Sequence, residues 1–73
     1  AAQVRARVES LTAREAEVAR AVLAGRLNKQ IAAELGISLK TVEIHRHNVM
    51  EKMGATSAAD LVRLLVAAGW TET

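Results

Sequence analysis

The sequence predicts a single all-α domain, on the evidence of its composition, its hydrophobic periodicity and the positions of its glycines. The chain of 73 residues contains no proline and is rich in strong helix formers. Apolar residues recur at intervals of three and four, which places them on one side of a helix. Each of the four glycines follows such a run, where a left-handed residue commonly ends a helix. These observations predict four helices, at about 12–24, 28–35, 38–53 and 57–68.

Helix start signals agree with these ranges. The stretches 12–15 and 57–60 both have the Ser/Thr-x-x-acid spacing of a capping box, which satisfies exposed N–H groups at a helix start. Asn28 and Ser38 are the N-caps expected for the other two helices. Residues 1–10 carry no strong start or stop signal. We expect them to form a linker or N-terminal arm before a domain at 11–73, with at most a helical turn around Val4 and Val8.

Each predicted helix has one apolar stripe, and the four stripes together are sufficient to close a small core. With Leu27 just before the second helix, the predicted core consists of Val18, Ala19, Val22, Leu23, Ile31, Ala32, Leu35, Val42, Val49, Met53, Leu61, Leu64, Leu65 and Ala68. Trp70, the only aromatic residue, is expected to seal one end of this core.

Composition excludes several classes of protein. The chain has no cysteine, so disulfides and thiolate-bound zinc are excluded, and this composition suits a reducing cytoplasm. The longest apolar stretch is too short to span a bilayer, and no signal peptide is recognisable. We therefore expect a cytoplasmic protein that does not associate with membranes. The net charge of +2 is compatible with nucleic acid binding but does not demonstrate it.

The helix predicted at 38–53 has an unusual outer side. At about 100° per residue, its apolar stripe leaves Lys40, Glu43, Ile44 and His47 together on the opposite, polar side. A large apolar residue in the middle of a polar surface needs an explanation, although single exposed isoleucines are common.

The junction before this helix predicts a helix-turn-helix. In the sequence IAAELGISLKTVEIH, Gly36 and Ile37 separate a short helix from a longer one that Ser38 caps. Such a tight turn holds two helices at a steep angle, and Ile37 is placed to fill the wedge between them. In this motif the second helix lies in the major groove of DNA.

Three motifs strengthen this interpretation: LTxRExEV from Leu11 to Val18, NKxIAxxLGIS from Asn28, and KTVExHRxNxMxKMG from Lys40 to Gly54. With them, nearly the whole chain resembles the LuxR-type helix-turn-helix domain, and most of all the output domains of FixJ/NarL-type two-component response regulators. The resemblance implies a four-helix, tetrahelical transcription-factor domain without a wing, whose third helix reads the major groove and whose fourth helix forms a dimer on DNA.

The resemblance also implies partners. These are double-stranded DNA with a pseudo-palindromic promoter site, a second copy of the domain on that DNA, RNA polymerase, and an N-terminal receiver domain whose phosphorylation on aspartate relieves inhibition. We expect such a receiver to lie outside this sequence, although some LuxR-type proteins carry a ligand-binding domain instead. No cofactor is expected.

Candidate site residues follow from the outer side of the helix at 38–53 and from the starts of the two motif helices. Apolar contact with a thymine methyl explains Ile44, and polar neighbours address base edges, so the expected base-reading residues are Lys40, Glu43, Ile44 and His47. The expected contacts to the DNA backbone are Asn28, Lys29, Ser38, Thr41 and Arg46.

A second apolar stripe runs along the helix at 57–68, away from its core side. A small monomeric domain needs only one such stripe per helix, so the second predicts contact with a partner. The expected dimer residues are Ala59, Val62, Arg63 and Val66.

Other interpretations of the same residues remain open. His45 and His47 point about 200° apart on a helix and therefore do not share a metal ion. No pocket or nucleophile is evident, so we do not expect an enzyme. The alternative function is a helical protein-interaction module that keeps a helix-turn-helix shape without binding DNA. The acids Glu43 and Glu51 favour this alternative, and Lys29, Lys40 and Arg46 favour DNA.

Overall fold

The computed structural model describes residues 2–71, and every regular element within that range is a helix. The helices are α1 (Ala2–Glu9), α2 (Ala13–Leu23), α3 (Asn28–Leu35), α4 (Leu39–Met53) and α5 (Ala58–Ala67). The predicted all-α class is confirmed, and the four predicted helices correspond to α2 to α5 with bounds that differ by no more than one residue.

The additional helix is α1, which occupies the segment predicted as a linker. Val4 and Val8 are half-buried and pack against the core, and α1 lies against α4 and α5. The prediction of a linker at 1–10 is therefore wrong for residues 2–9, and Ala1 lies outside the described residues. The reason is tertiary: α1 has no capping signal of its own, and its packing against neighbouring helices stabilises it.

Side-chain caps begin three of the helices as predicted. Thr12 Oγ1 accepts from the backbone N–H of Glu15 at 3.1 Å, and the Glu15 carboxylate accepts from the N–H of Thr12 at 2.9 Å. Ser38 Oγ accepts from the N–H of Thr41 at 3.0 Å, and Ser57 caps α5 in the same way. These bonds satisfy donors that the first helical turn leaves unpaired.

The predicted cap at Asn28 is wrong. Asn28 is the first helical residue of α3, and Leu27 precedes the helix in extended conformation with its N–H bonded to Gln30 Oε1 at 2.8 Å. The capping box predicted at 57–60 also differs from the structure. Asp60 accepts from the N–H of Thr56 at 3.0 Å, whereas the capping box requires a bond from the N–H of Ser57.

The core lies where α2, α3, α4 and α5 meet. Its buried residues are Val18, Ala19, Val22, Ile31, Ala32, Val42, Val49, Met53, Leu61, Leu64 and Leu65, all of which were predicted. Leu23, Leu35 and Ala68 are half-buried at its edge. Leu27 is 68% exposed, so its placement in the core is wrong: it precedes α3 and does not share the inward side of that helix.

Trp70 is half-buried against the core, as predicted for a residue that seals its end. The guanidinium of Arg20 stacks over the indole, 4.3 Å from the ring centroid. Glu72 and Thr73, the end of the predicted domain, lie outside the described residues. None of the helices described is long and apolar enough to span a bilayer.

Candidate nucleic-acid interface

The turn between α3 and α4 fixes how the two helices meet. Gly36 ends α3 in the left-handed region at φ 67°, where a side chain would be strained. The N–H of Ile37 then bonds to the carbonyl of Ala32 at 3.1 Å, and the Ile37 side chain packs against the core. Because Ser38 immediately caps α4, only three residues separate the helices. This is the predicted helix-turn-helix.

The outer side of α4 carries the four residues predicted to read bases. Lys40, Glu43, Ile44 and His47 are all exposed, and Ile44 has 50% of its surface open to solvent. On the inner side of the same helix, Val42, Val49 and Met53 are fully buried. Their packing fixes the rotation of α4 about its own axis, so the four predicted residues remain on the outer side. We call Lys40, Glu43, Ile44 and His47 the reading face.

Charges on the reading face have both signs. His47 Nε2 lies 3.9 Å from Glu51 Oε1, and both side chains are largely exposed. Lys40, near the start of α4, forms no ion pair with another residue of the range 2–71. The face therefore offers a free cation, a carboxylate and an imidazole around one exposed aliphatic side chain. Such groups can donate to and accept from base edges and pack on a thymine methyl.

Two of the residues predicted to contact the DNA backbone are hydrogen-bonded to each other. Arg46 Nη1 on α4 donates to Asn28 Oδ1 in the first turn of α3, at 3.0 Å. Both residues are half-buried, so the bond holds the guanidinium in a fixed place beside the start of α3. A guanidinium has five N–H donors, so the bond to Asn28 leaves others available for an anion.

The remaining backbone candidates lie at the two helix starts. Ser38 Oγ and Thr41 Oγ1 are 2.8 Å apart in the first turn of α4. Lys29 is exposed in the first turn of α3 and, among residues 2–71, forms no ion pair. Both helix starts thus combine polar side chains with backbone N–H groups, which favours phosphate oxygens.

The residues predicted to form a dimer lie along one side of α5. Ala59, Arg63 and Val66 are exposed, and Val66 is 55% open to solvent. Val62 differs, because it is half-buried and packs against the core. The expectation that this stripe is separate from the core is therefore wrong at Val62. Arg63 Nη2 pairs with Asp60 Oδ1 at 2.6 Å along the helix surface.

An open groove of about 560 Å³ lies beside these residues and was not predicted. It runs between the start of α3 and the start of α5, and its lining includes Leu27, Arg46, Ala59 and Val62. Sequence periodicity offered no signal for it, because the groove forms where separate helices meet.

Several charged residues have roles that the sequence did not reveal. The ammonium group of Lys52 on α4 bonds to Glu15 Oε1 at 2.7 Å and to the carbonyl of Ser10 at 3.3 Å. The bond from Lys52 thus joins α4 to Glu15 of α2. Arg20 on α2 stacks on Trp70. No local pattern identifies partners so far apart in sequence.

Comparisons with known proteins agree with this geometry. Residues 9–65 match the family model described as bacterial regulatory proteins, luxR family. The chain is 52% identical over 67 residues to the transcriptional regulatory protein FixJ of Rhizobium meliloti, covering 92% of this chain and 33% of that protein. It is 53% identical over 62 residues to the response regulator protein TmoT of Ectopseudomonas mendocina, covering 85% of this chain and 28% of that protein.

Solved structures give the same result. The low-resolution structure of the response regulator StyR matches 90% of this chain with a TM-score of 0.87 and 45% identity, over 33% of that chain. Full-length FixJ from B. japonicum matches 90% of this chain with a TM-score of 0.82 and 50% identity, over 32% of its own chain. The chain thus spans about a third of the length of the relatives it matches. It belongs to the luxR family of bacterial regulatory proteins and has the family's helix-turn-helix DNA-binding domain.

Proposed function

We propose that this domain binds double-stranded DNA in a sequence-dependent way, with α4 in the major groove, as the output domain of a bacterial transcription regulator. The observation that carries the proposal is the reading face: a helix whose inner side is locked in the core presents an aliphatic residue, 50% exposed, among polar ones. Water is a poor environment for Ile44, whereas a thymine methyl in the major groove is a suitable one.

Each residue of the reading face has a chemical role in the proposal. Glu43 accepts from the amino group of cytosine, and Lys40 and His47 donate to guanine or to a phosphate. Ile44 packs on thymine. His47 Nε2 lies 3.9 Å from Glu51 Oε1, so the imidazole is positioned beside a carboxylate on the exposed side of α4. These contacts specify sequence, whereas phosphate contacts position the domain.

Phosphate contacts are assigned to Asn28, Lys29, Ser38, Thr41 and Arg46. In support, Asn28 holds the Arg46 guanidinium at 3.0 Å, so an ordered donor is available before DNA arrives. A donor that is already ordered loses less side-chain entropy on binding. Lys29 and Lys40 add exposed charges near the starts of α3 and α4.

Two copies of the domain bind one site, in this proposal, through the exposed residues Ala59, Arg63 and Val66 of α5, with Val62 at the edge of the contact. The stripe is short and built from small residues, so the dimer forms on DNA and not in free solution. Two α4 helices then occupy successive major grooves of an inverted repeat.

Regulation comes, in this proposal, from a receiver domain N-terminal to α1 in the parent chain, whose phosphorylation on aspartate releases the DNA-binding domain. The support is that relatives named transcriptional regulatory protein and response regulator protein are about three times as long as the stretch they share with this chain. DNA-bound dimers then act on transcription through RNA polymerase.

Binding-site selection from a random duplex library tests the proposal, followed by gel shifts of the selected duplex at low and high salt. The expected result is a consensus with two-fold symmetry and an affinity that falls steeply as salt rises. A domain that enriches no sequence and shows no salt-dependent shift would instead be the protein-interaction module, and the proposal would be wrong.

A further inference from the structure

Three polar contacts join the C-terminal end of α4 to α1, to Ser10 directly after α1, and to α2. Arg7 Nη1 on α1 donates to the backbone carbonyl of Met53 at 3.1 Å, across 46 residues of sequence. Lys52 donates to the carbonyl of Ser10, directly after α1, at 3.3 Å, and pairs with Glu15 of α2 at 2.7 Å. The C-terminal end of α4 is therefore bonded to α1, to Ser10 directly after α1, and to α2.

Arg7 fits this end of α4 for two physical reasons. The last carbonyls of a helix lack intrahelical partners and carry the negative end of the helix dipole, so a cation stabilises them. Gly54, which follows in the left-handed region at φ 69°, has no side chain to exclude the guanidinium. A Cβ at position 54 would lie 3.0 Å from Arg7 Nη1.

The attachment of α1 depends on few contacts. No residue of α1 is fully buried, and its apolar contact with the core comes from the half-buried Val4 and Val8. Helices with little buried apolar surface open at low free-energy cost. The directional bond from Arg7 therefore adds to the few contacts that hold α1 in place.

We propose that Arg7 is a positioning residue for DNA reading: by fastening α1 to the C-terminal end of α4, it couples the docking of α1 to the orientation of the reading face. The inference rests on the proposed function, in which α4 reads DNA. Met53 lies 13 residues beyond Lys40, which corresponds to about 20 Å along the helix axis. Arg7 therefore affects base recognition indirectly, through its bond to α4. Because coupling is reciprocal, DNA binding in turn holds α1 more firmly.

Arg5 provides a matched control, since it lies on the same helix, is exposed and forms no ion pair within residues 2–71. Arg7→Met and Arg5→Met remove the same charge, but only the first removes the bond to Met53. The affinities of both variants and of wild type are measured for the selected duplex and for a random duplex, over a range of salt concentrations. Circular dichroism fixes a temperature at which all three are folded.

The expected result is that Arg7→Met lowers the ratio of specific to random affinity about three- to tenfold, whereas Arg5→Met leaves this ratio unchanged. Both variants should have the same salt slope. Equal ratios for the two variants would overturn the inference. So would a salt slope smaller by about one unit for Arg7→Met alone, because that result identifies a direct phosphate contact.

Hydrogen exchange of the α1 amides in the wild-type domain is an independent measurement of the same coupling. Adding the selected duplex should slow exchange in α1 more than adding the random duplex does. Equal protection by both duplexes would contradict the inference. If wild type itself fails to discriminate between the duplexes, the proposed function is wrong. If wild type discriminates and Arg7→Met discriminates equally well, only the inference about Arg7 is wrong.

Discussion

Glu15 of α2 and Lys52 of α4 form an ion pair at 2.7 Å, although 37 residues separate them in sequence. Glu15 is 5% exposed, and its carboxylate also accepts from the backbone N–H of Thr12. One side chain therefore caps α2 and holds α4 against it. The bond from Lys52, and next the N–H of Thr12, hold the pKa of Glu15 below its ordinary value.

Glu15→Gln should lower the free energy of unfolding at neutral pH by about 1–2 kcal/mol, a figure reduced for the 35% exposure of the Lys52 side chain. Since the folded pKa of Glu15 lies below the unfolded one, the ionised carboxylate stabilises the domain above the unfolded pKa. That contribution disappears as the pH falls through the folded pKa. Urea unfolding at pH 7 and at about pH 3 measures both effects, and the difference between wild type and variant should shrink in acid.

Glu17 supplies the control for this prediction. It lies on the same helix and pairs with Arg14 at 3.4 Å, but both side chains are well exposed. Glu17→Gln should change the unfolding free energy by less than about 0.5 kcal/mol. A loss as large as that of Glu15→Gln would mean that net charge, and not the buried pair, determines the effect.

The Glu15 carboxylate makes one local bond, to Thr12, and one distant bond, to Lys52. The difference between these two bonds explains what could be predicted from the sequence alone. The bond between Glu15 and Thr12 is local, so the spacing of the two residues predicted it. The same holds for the helix bounds, for the cap at Ser38 and for the turn at Gly36, each of which depends on neighbours within a few residues.

Features that depend on tertiary contact were missed. The sequence of α1 carries no strong helix start or stop signal and no full apolar stripe, and its contacts come from α4 and α5, far along the chain. Leu27 is apolar but precedes the helix whose inward side it was expected to share. The outward position of the reading face was predictable because the period of α4 sets it, whereas the bond between Asn28 and Arg46 joins two helices.

Ile44→Ala and His47→Ala should change which bases are preferred, because each residue is expected to contact its own base pair. The cost should be about 1–3 kcal/mol at that base pair and little elsewhere in the site. Binding-site selection on each variant measures the preference. Glu17→Ala, which removes an exposed carboxylate from α2 and not from α4, is the control and should leave the consensus unchanged. If both variants select the wild-type consensus, these residues do not read bases.

Lys29→Ala should weaken binding to specific and random duplexes by similar factors, because a phosphate contact carries no direct sequence information. The slope of log affinity against log salt should fall in magnitude by about one unit. Arg5→Ala removes one charge from α1 and should leave the slope as in wild type. A wild-type slope for Lys29→Ala would place this ammonium group away from the phosphates.

The structure selects Val66, and not Val62, as the position for a test of the dimer on α5. Val62 packs against the core, so a charge there should unfold the domain as well as break a dimer. Val66 is 55% exposed and lies in the last turn of α5, where a cation suits the helix dipole. Val66→Lys should therefore leave helicity and melting temperature close to those of wild type. Two such lysines facing each other across a two-fold axis repel, and the apolar contact between the copies is lost.

Val66→Lys should consequently abolish cooperative binding to a duplex with two half-sites about 10 bp apart, one helical turn. Affinity for a duplex with one half-site should not fall, since the reading face is unchanged and the added charge favours DNA. Ala67→Lys is the matched control, because Ala67 is exposed beside Val66 but points about 100° away from it around the helix. It adds the same charge and should retain cooperativity. If the two variants bind the two-half-site duplex with equal cooperativity, two copies of the domain meet through some surface other than this side of α5.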